Sequence, residues 1–374
     1  MSPPAEASQR ISRLAPLSEL FARLDELAHP IPAKKLDPAA AVGGTLAADV
    51  VAPADWPARP TAVRDGWAVA ADRVTDAGPY APAPLSPAPP WVETGEAMPA
   101  GTDAVLPLDA LTVTKSGAEA LVAVASGDGV MPAGGEAPKG SAIRRAGERL
   151  RPTDVAVLRG ARIASVSVRL PRIKIFTTSV PPRSGTDVIS PVIVRAAEAE
   201  GAAAEVAQAA SLESVLLDRA CDAVLAVGGT GTGRRDASVK TLARIGRVEI
   251  HGFGIAPGET AALGTVEGKP VLLLPGRLDA ALAAFLIVGR RLIARLAGRE
   301  AEEGAARVSL TRKIASSVGL GEVVLVRRVP EGVEPLTVGA FTAAALARAD
   351  GWAVVPPDSE GFAAGASVEM RQLP

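Results

Sequence analysis

The sequence predicts a multidomain protein of the α/β plus β class, with a three-layer α/β domain at its centre. The first observation is the length of 374 residues, which at about 100–200 residues per domain indicates roughly two to four domains. The second is the region 172–300, where apolar runs alternate with helical patterns, as expected for a parallel sheet covered on both faces. The third is that short strand-like runs, separated by turns rich in proline and glycine, lie on both sides of that region.

The first half of the chain is predicted to hold a helix and a small β domain. Apolar residues recur at helical spacing up to Leu27, and His29-Pro30 ends the pattern, so we predict an amphipathic helix over about 16–28. From about 45 to 142, short β-like runs and a proline-rich loop indicate a β domain. A helix start is predicted at Thr153-Asp154.

The central region is predicted to alternate strands with helices. We place the strands at 172–176, 204–207, 223–227 and 271–274, and the helices at 192–200, 212–220, 239–245 and 280–296. The run 223–227 is apolar throughout, which is typical of a strand buried on both faces. After about residue 301, short strands return at 322–327, 352–355 and 367–370, so a second small β domain is predicted to follow.

Charge and composition exclude several classes of protein. The 40 Lys+Arg against 41 Asp+Glu leave no excess of positive charge, on which dedicated nucleic-acid binders depend. Cys221 is the only cysteine, so neither an internal disulfide nor a Cys/His zinc cluster is expected. The N-terminus has no apolar signal core, and the apolar run 280–288 is too short to cross a bilayer. We therefore expect a cytoplasmic protein that binds neither nucleic acid nor membrane.

The strongest local signal is a glycine- and threonine-rich loop after the apolar strand 223–227. It consists of Gly228, Gly229, Thr230, Gly231, Thr232 and Gly233. Ligands of open α/β sheets bind beyond the carboxyl ends of the strands, where this loop is expected. Glycines let backbone N–H groups approach an anion, and threonine hydroxyls can donate. The loop has neither dinucleotide-binding nor Walker A spacing, and a tight turn without a ligand remains the alternative.

Two aspartates flank this loop in the sequence. Asp222 and Asp236 are candidate ligands of Mg²⁺, which takes one or two carboxylates and keeps waters and phosphate oxygens. The alternatives are a helix N-cap for Asp236 and a solvated strand start for Asp222. Pro275-Gly276, after the last apolar strand, is predicted to line the same crevice. His251 is expected to be packed or solvated.

Further motifs are weak when taken singly. Arg64-Asp65-Gly66-Trp67 and Glu93-Thr94-Gly95 each have the composition of a turn. Their order along the chain is more specific. The segments that carry it are Arg64-Asp65-Gly66-Trp67-Ala68-Val69, Thr94-Gly95, Met98-Pro99, Asp103-Ala104-Val105, the loop 228–233 with Asp236, Ala256-Pro257-Gly258 and Leu274-Pro275-Gly276.

These segments, in this order, resemble the molybdopterin molybdenumtransferases, the molybdenum insertases whose eukaryotic counterpart is the gephyrin E domain. The tail around Asp350-Gly351-Trp352 is also similar to that family's C-terminal β barrel. The resemblance implies an elongated N-terminal domain in two pieces (1–45 and 143–170) and an inserted β-rich domain (46–142). It also implies an α/β molybdopterin-binding domain (171–300) and a C-terminal β-barrel domain (301–374).

The resemblance also implies a reaction and a site. Molybdate would be inserted into the dithiolene of adenylated molybdopterin, with Mg²⁺-assisted hydrolysis of the adenylate and release of AMP. The resemblance implies a homodimer, in which the site is shared between the α/β domain of one subunit and the inserted domain of the other. Asp65 and Thr94 would face that site, the loop 228–233 would hold the pterin phosphate, and Pro275 and Gly276 would form its wall. Asp65, Asp222 and Asp236 would be catalytic, the last two also binding metal.

The chain departs from the family pattern after the first strand of the α/β domain. Members usually have Ser-Thr-Gly-Asp-Glu-Leu, which supplies a site glutamate, whereas this chain has Thr177-Thr178-Ser179-Val180-Pro181-Pro182. The next carboxylate is Asp187. One acid of the family site is therefore missing.

Cations are missing as well. The family's Lys-Pro-Gly-Lys-Pro becomes Ala256-Pro257-Gly258-Glu259-Thr260, and a lysine of some members corresponds to Gly252. Loss of one donor to an oxyanion typically costs ~10²–10³ in rate. Arg234, Arg235 and Arg277 are candidate replacements, with solvated surface arginines as the alternative.

Three functions therefore remain open. The first is a divergent molybdenum insertase. The second is a non-catalytic paralogue that binds or carries molybdopterin or the finished cofactor for a recipient molybdoenzyme. The third is a different phosphoryl-handling hydrolase on the same α/β domain.

Overall fold

The computed structural model of the protein describes residues 9–114, 117–178, 186–300 and 305–374. The chain divides into two compact units. The first comprises Met1–Lys35, Ala41–Ala47 and Ser167–Pro374, and the second comprises Leu36–Ala40 and Ala48–Val166. In the described part of the chain, no helix has the length and apolar character needed to cross a membrane.

The helices and strands are numbered in chain order. The helices are α1 Leu17–Leu27, α2 Pro152–Gly160, α3 Ser190–Ala199, α4 Leu212–Leu216, α5 Ser238–Ile245, α6 Leu278–Ala284, α7 Arg290–Ala297 and α8 Ala343–Leu346, with short 3₁₀ segments at Ala71–Val74 and Leu108–Ala110 and a π turn at Phe285–Gly289. The strands are β1 Lys34–Leu36, β2 Thr45–Leu46, β3 Val50–Val51, β4 Thr61–Ala62, β5 Gly66–Val69, β6 Ala83–Leu85, β7 Trp91–Val92, β8 Ala104–Leu106, β9 Leu111–Thr114, β10 Gly117–Ala120, β11 Val130–Met131, β12 Ala142–Arg144, β13 Val166–Arg169, β14 Arg172–Thr177, β15 Ala203–Val206, β16 Ala223–Val227, β17 Arg247–His251, β18 Ile255–Ala256, β19 Ala262–Val266, β20 Lys269–Leu274, β21 Ala306–Ser309, β22 Ile314–Ala315, β23 Gly321–Val329, β24 Gly332–Pro335, β25 Gly351–Val355, β26 Gly361–Phe362 and β27 Ser367–Gln372.

The central sheet of the first unit has the strand order β15-β14-β16-β20-β19-β17. Strands β15, β14, β16 and β20 are parallel to one another, as predicted. Strand β19, however, is antiparallel to both of its neighbours, β20 and β17. The all-parallel prediction was therefore wrong at this edge, and it omitted both β19 and β17. Glu267 and Gly268, with φ of 51° and 79°, form the tight turn between β19 and β20. Two consecutive residues with positive φ are typical of a two-residue hairpin.

Alternate residues of the central strands belong to two different apolar cores. Leu225 and Leu272 lie in the core that also contains α3, α6 and α7. Val224 and Leu273 lie in a second core with residues of α4 and α5. Side chains alternate between the two faces of a strand, so apolar residues at successive positions are buried on both faces of the sheet.

Predicted helices are present with small shifts of their ends, except for α4. This helix ends at Leu216 rather than near Ala220. The Asp218 carboxylate accepts the N–H of Ala220 at 2.7 Å, and such local side-chain bonds compete with helix continuation. The long helix predicted at 280–296 is formed by α6, the π turn and α7.

Strands β23, β25, β27 and β21, all after residue 305, form a sheet with the order β18-β23-β25-β27-β21, in which the earlier strand β18 pairs in parallel with β23 and β24 also pairs with β23. Val324, Val326 and Ala353 are buried in its core. A C-terminal β domain is therefore present, while closure into a barrel stays a prediction.

The second unit consists of short antiparallel pairings. Its sheets are β7-β5-β8, β6-β10-β9, β11-β4 and β12-β3. Helix α2 begins at Pro152, close to the predicted start. The side chain of Asp154 accepts the N–H of Arg151 at 2.8 Å and thereby caps the helix. The four-domain division stays a prediction.

Candidate functional site

The two segments predicted to line one crevice, the glycine loop and Pro275-Gly276, meet at the carboxyl edge of the central sheet, beside the end of β14. Thr177 at the end of β14 is in register with Val227 at the end of β16. The N–H of Gly228 donates to the carbonyl of Leu274 at 2.9 Å. A Cβ added to Gly276 would lie 3.4 Å from the Cα of Gly228. The glycine loop and Pro275-Gly276 are therefore neighbours.

The first two loop residues need to be glycine. Gly228 and Gly229 have φ of 95° and 71°, in the left-handed region that residues with a Cβ rarely adopt. A Cβ on Gly229 would also lie 2.3 Å from the hydroxyl of Ser238. That hydroxyl donates to the carbonyl of Gly228 at 2.7 Å, and the Ser238 N–H donates to the carbonyl of Gly229 at 2.9 Å. The loop is thus joined to the start of α5.

The carbonyls and the amides of the loop differ in how they are satisfied. The carbonyls of residues 228–231 all accept hydrogen bonds from Ser238, Gln9 or His251. Among the described residues, the N–H groups of residues 229–232 have no acceptor. Consecutive free amides in a glycine-rich loop are donors suited to an anion.

The two loop threonines differ. Thr230 is 1% exposed, and its hydroxyl lies 3.1 Å from that of Thr260. This hydroxyl was predicted to donate to a ligand, but burial and the Thr260 partner leave only the backbone of Thr230 for that role. Thr232 is exposed.

Asp236 closes the end of the loop. Its Oδ2 accepts the N–H of Gly233 at 2.8 Å, and its own N–H donates to the Gly233 carbonyl at 3.0 Å. Helix α5 is capped at Ala237 rather than at Asp236, so the N-cap alternative was wrong. The Asp236 carboxylate lies beside the loop, as predicted.

Asp222 lies at the opposite edge of the sheet, which corrects the prediction that it is a catalytic metal ligand. It precedes β16, whereas the glycine loop follows that strand. Five residues at about 3.3 Å per residue separate the two edges by roughly 16 Å. The carboxylate of Asp222 pairs with Arg172 at 3.1 Å and accepts its N–H at 2.8 Å. The residue therefore joins the starts of β14 and β16.

The residues present do not form the predicted Mg²⁺ site. With Asp222 at the other edge, Asp236 is the remaining one of the two predicted ligands, and one of its oxygens is bound by Gly233. In the described ranges, no three Asp, Glu, His or Cys side chains come together as a metal cluster. No catalytic step is therefore assigned to magnesium.

One carboxylate near the site was noted in the sequence but not predicted to belong to it. Asp187 accepts the hydroxyl of Thr177 at 2.6 Å and the N–H groups of Ile189 and Ser190 at 3.0 Å each. It therefore lies at the carboxyl end of β14. Burial raises the pKa of Asp187, but the hydrogen bonds from Thr177 and Ser190 outweigh burial and leave that pKa below its ordinary value. The sequence signal was an aspartate three residues before a serine at a helix start.

The segment 179–182, where the chain departs from the family's glutamate motif, lies outside the described residues. Asp187 is thus the acid that the structure places at the end of this strand.

The three candidate arginines are not equivalent. Arg277 pairs with Asp279 of the helix that it precedes. Arg234 and Arg235 are exposed, and within the described residues neither forms an ion pair. Glu259, in the place of a family lysine, accepts the N–H of Gly258 at 3.0 Å. Arg234 and Arg235 are therefore the cations of the loop that remain free to meet an anion.

Asp65 and Thr94 belong to the second compact unit. The carboxylate of Asp65 accepts both the N–H of Thr94 at 2.7 Å and its hydroxyl at 2.9 Å. The backbone hydrogen bond from Thr94, followed by that from its hydroxyl, holds the pKa of Asp65 below its ordinary value. The structure thus brings these two predicted residues together on an exposed surface.

Three family models match consecutive parts of the chain. Residues 4–161 match the MoeA N-terminal region (domain I and II), residues 178–295 a probable molybdopterin binding domain, and residues 307–373 the MoeA C-terminal region (domain IV). The chain belongs to the MoeA family. The resemblance inferred from the motifs is thereby confirmed.

Curated relatives of the MoeA family agree with this assignment. The chain is 28% identical over 297 residues to molybdopterin molybdenumtransferase 2 of Mycobacterium tuberculosis, covering 66% of this chain and 70% of the relative. It is 31% identical over 153 residues to a putative molybdopterin biosynthesis protein of Methanocaldococcus jannaschii, covering 41% of this chain and 36% of the relative. The second match thus spans about a third of that relative's length.

Solved structures show that the fold is that of MoeA proteins. The molybdopterin biosynthesis MoeA protein of Pyrococcus horikoshii OT3 aligns with a TM-score of 0.71 at 24% identity, covering 96% of this chain and 99% of that chain. A molybdenum cofactor biosynthesis protein from Pyrococcus furiosus aligns with a TM-score of 0.60 at 19% identity, covering 96% of this chain and 99% of that chain.

Proposed function

We propose that this protein is a molybdopterin molybdenumtransferase acting in molybdenum cofactor biosynthesis. Its substrates would be molybdate and adenylated molybdopterin, and AMP would be released as molybdenum enters the dithiolene. The observation that supports this most directly is the row of free amides at residues 229–232, next to Pro275-Gly276, in a chain of the MoeA family. A curated relative of this family carries the name of that activity.

The free amides would bind the phosphate of the pterin. Backbone N–H groups at a loop that leads into a helix suit an anion, because their dipoles add to the positive end of the helix. The hydrogen bonding of the loop supports this role. The carbonyls of residues 228–231 already accept hydrogen bonds from the protein, so they do not compete with the amides for the ligand.

Positive charge would come from Arg234 and Arg235. Ala256 and Glu259 stand in the places of two family lysines, so those positions supply no cation. A guanidinium group binds phosphate or molybdate oxygens through several donors at once. Because Arg277 is held by Asp279, the loop arginines are the better candidates.

Asp236 and Asp65 would supply the carboxylates of the site. Asp236 accepts the Gly233 N–H through one oxygen, so its second oxygen can accept a proton or a substrate hydrogen bond. Asp65 would come from a second copy of the chain, as the family homodimer implies. Its lowered pKa, which results from the Thr94 hydrogen bonds, keeps it ionised at neutral pH.

The experiment is complementation of a bacterial strain that lacks its molybdenum insertase, together with AMP release in vitro. The proposal expects restored molybdoenzyme activity, and AMP formation that depends on molybdate. Release of AMP no faster than in a reaction without protein would contradict it.

One observation favours a second candidate, a carrier that binds molybdopterin or the finished cofactor for a molybdoenzyme. The loop is retained, whereas two lysines of the family are replaced by Ala256 and Glu259. A carrier would bind molybdopterin tightly without releasing AMP. In a carrier, Asp65→Ala would change affinity, with no chemical step to lose.

A further inference from the structure

The N-terminal segment, residues 9–15, places one buried glutamine on the glycine loop. Gln9 is 7% exposed, and its Nε2 donates to the carbonyls of Gly229 and Gly231 at 2.9 Å each. Its Oε1 accepts the N–H of Lys240, in the first turn of α5, at 3.1 Å. One side chain, more than 200 residues away in sequence, therefore joins two loop carbonyls to the following helix.

The path of this segment is fixed by close backbone contacts. Ala15 exchanges hydrogen bonds with Gly252 and Gly254, donating to the first at 2.9 Å and accepting from the second at 2.7 Å. A Cβ on Gly252 would lie 2.5 Å from the Cγ2 of Ile11 and 2.6 Å from the carbonyl of Arg13. Gly252 corresponds to a lysine in some family members. In this chain, the N-terminal segment occupies the space that the Cβ of such a lysine would need.

The anchored carbonyls determine where the free amides point. A peptide unit is planar, so the carbonyl of one residue and the N–H of the next point in opposite directions. The four anchored carbonyls of residues 228–231 belong to the same peptide units as the four free amides of residues 229–232. Holding the carbonyls on the protein side therefore turns the amides away from it.

We propose that Gln9 is a positioning residue that presents these amides to the anionic group of the substrate. This inference rests on the proposed function, because it assumes that the loop binds the pterin phosphate. Gln9 anchors the carbonyls of Gly229 and Gly231, while His251 anchors that of Thr230 at 3.0 Å. The Gln9 side chain thereby supports the binding site, although it is far from the loop in sequence.

Two substitutions of Gln9, made in the full chain, separate its role as a donor to the loop from its role as an acceptor for Lys240. Gln9→Ala removes both the donor to the loop and the acceptor of the Lys240 N–H. Gln9→Glu keeps an acceptor for Lys240, but a carboxylate has no proton to donate to the two carbonyls. Arg10→Ala, at the exposed neighbouring residue, is the matched control.

The measurements are KM and kcat for molybdopterin turnover, and hydrogen exchange of the Lys240 amide without ligand. Both Gln9 variants are expected to raise KM about ten-fold, a typical effect of lost hydrogen bonds, with a smaller change in kcat. Only Gln9→Ala should speed exchange at Lys240, and Arg10→Ala should resemble the wild type in both.

The outcomes distinguish this inference from the proposed function. A wild-type KM in Gln9→Glu overturns the positioning role, and unchanged Lys240 exchange in Gln9→Ala overturns the contact itself. If the wild-type protein neither turns over nor binds molybdopterin, the proposed function fails and the positioning role fails with it. The exchange measurement then still decides whether Gln9 holds the loop. Thermal unfolding within a few degrees of the wild type ensures that a variant is folded.

Discussion

The two edges of the central sheet use their polar groups in opposite ways. At the amino edge, charged side chains pair with each other, Arg172 with Asp222 and Lys174 with Asp218. At the carboxyl edge, the carbonyls of residues 228–231 are anchored, and the amides of residues 229–232 have no acceptor among the residues that the structure describes. Buried or paired groups stabilise the fold, whereas donors without a partner remain available for a ligand. The difference supports the proposal that the ligand binds at the carboxyl edge.

The largest effect is expected from breaking the loop itself. Gly229→Ala places a Cβ 2.3 Å from the Ser238 hydroxyl, at a residue whose φ is 71°. We expect at least ~10²-fold loss of molybdenum insertion, similar to the removal of an oxyanion donor. The measurement is cofactor formation by the folded variant. Gly268→Ala, in the turn between β19 and β20, is the control, since it also has a positive φ but lies away from the loop.

A smaller loss is expected at the carboxylate of the second unit. Asp65→Asn keeps the shape but removes the charge that the Thr94 hydrogen bonds stabilise. We expect a roughly 10–100-fold fall in kcat, since a positioned acid or base contributes at least that much. Steady-state kinetics of AMP release provides the test. Asp72→Asn, another aspartate of this unit, is the comparison, and equal rates in the two variants would contradict a catalytic role for Asp65.

Asp187 is expected to stabilise the carboxyl edge in a pH-dependent manner. Its pKa is lowered in the folded state, so its contribution is complete above the ordinary aspartate pKa of about 3.9 and disappears as pH falls through the lowered value. Asp187→Asn should cost about 1 kcal/mol of unfolding free energy at pH 7, comparable to a lost cap. The difference from the wild type should shrink below about pH 4. Denaturant unfolding at several pH values measures it, and a difference that does not change with pH would argue against the ionised carboxylate.

The smallest effect is expected at the amino edge. Asp222→Asn should leave molybdenum insertion unchanged and lower stability by less than about 1 kcal/mol, because the side chain of its partner Arg172 is 46% exposed and the ion pair is screened by solvent. Parallel assays of activity and unfolding would check this. A large loss of activity with normal stability would restore the metal-ligand hypothesis and remove the contrast between the edges.

Much of the fold followed from the sequence because its signals are local. Apolar periodicity predicted α1 and the strands β14, β16 and β20. Strands β17 and β19 were missed, since β19 is paired with β20 by the turn at Glu267-Gly268, and β17 then pairs with β19; neither pairing is set by composition.

The site was predictable only in part. The loop 228–233 and Pro275-Gly276 were found because glycines at strand ends have a specific backbone role. Asp222 was wrongly predicted to lie at the loop. The two are close in sequence, but the whole length of β16 separates them in space. Gln9 gave no local signal, because its partners lie more than 200 residues away.

The most direct test of the central claim is a crystal structure of the full chain with molybdopterin bound. The phosphate oxygens are predicted to lie about 2.7–3.2 Å from the amide nitrogens of residues 229–232. A phosphate bound elsewhere, with those amides facing only solvent, would contradict the assignment of the ligand to the carboxyl edge.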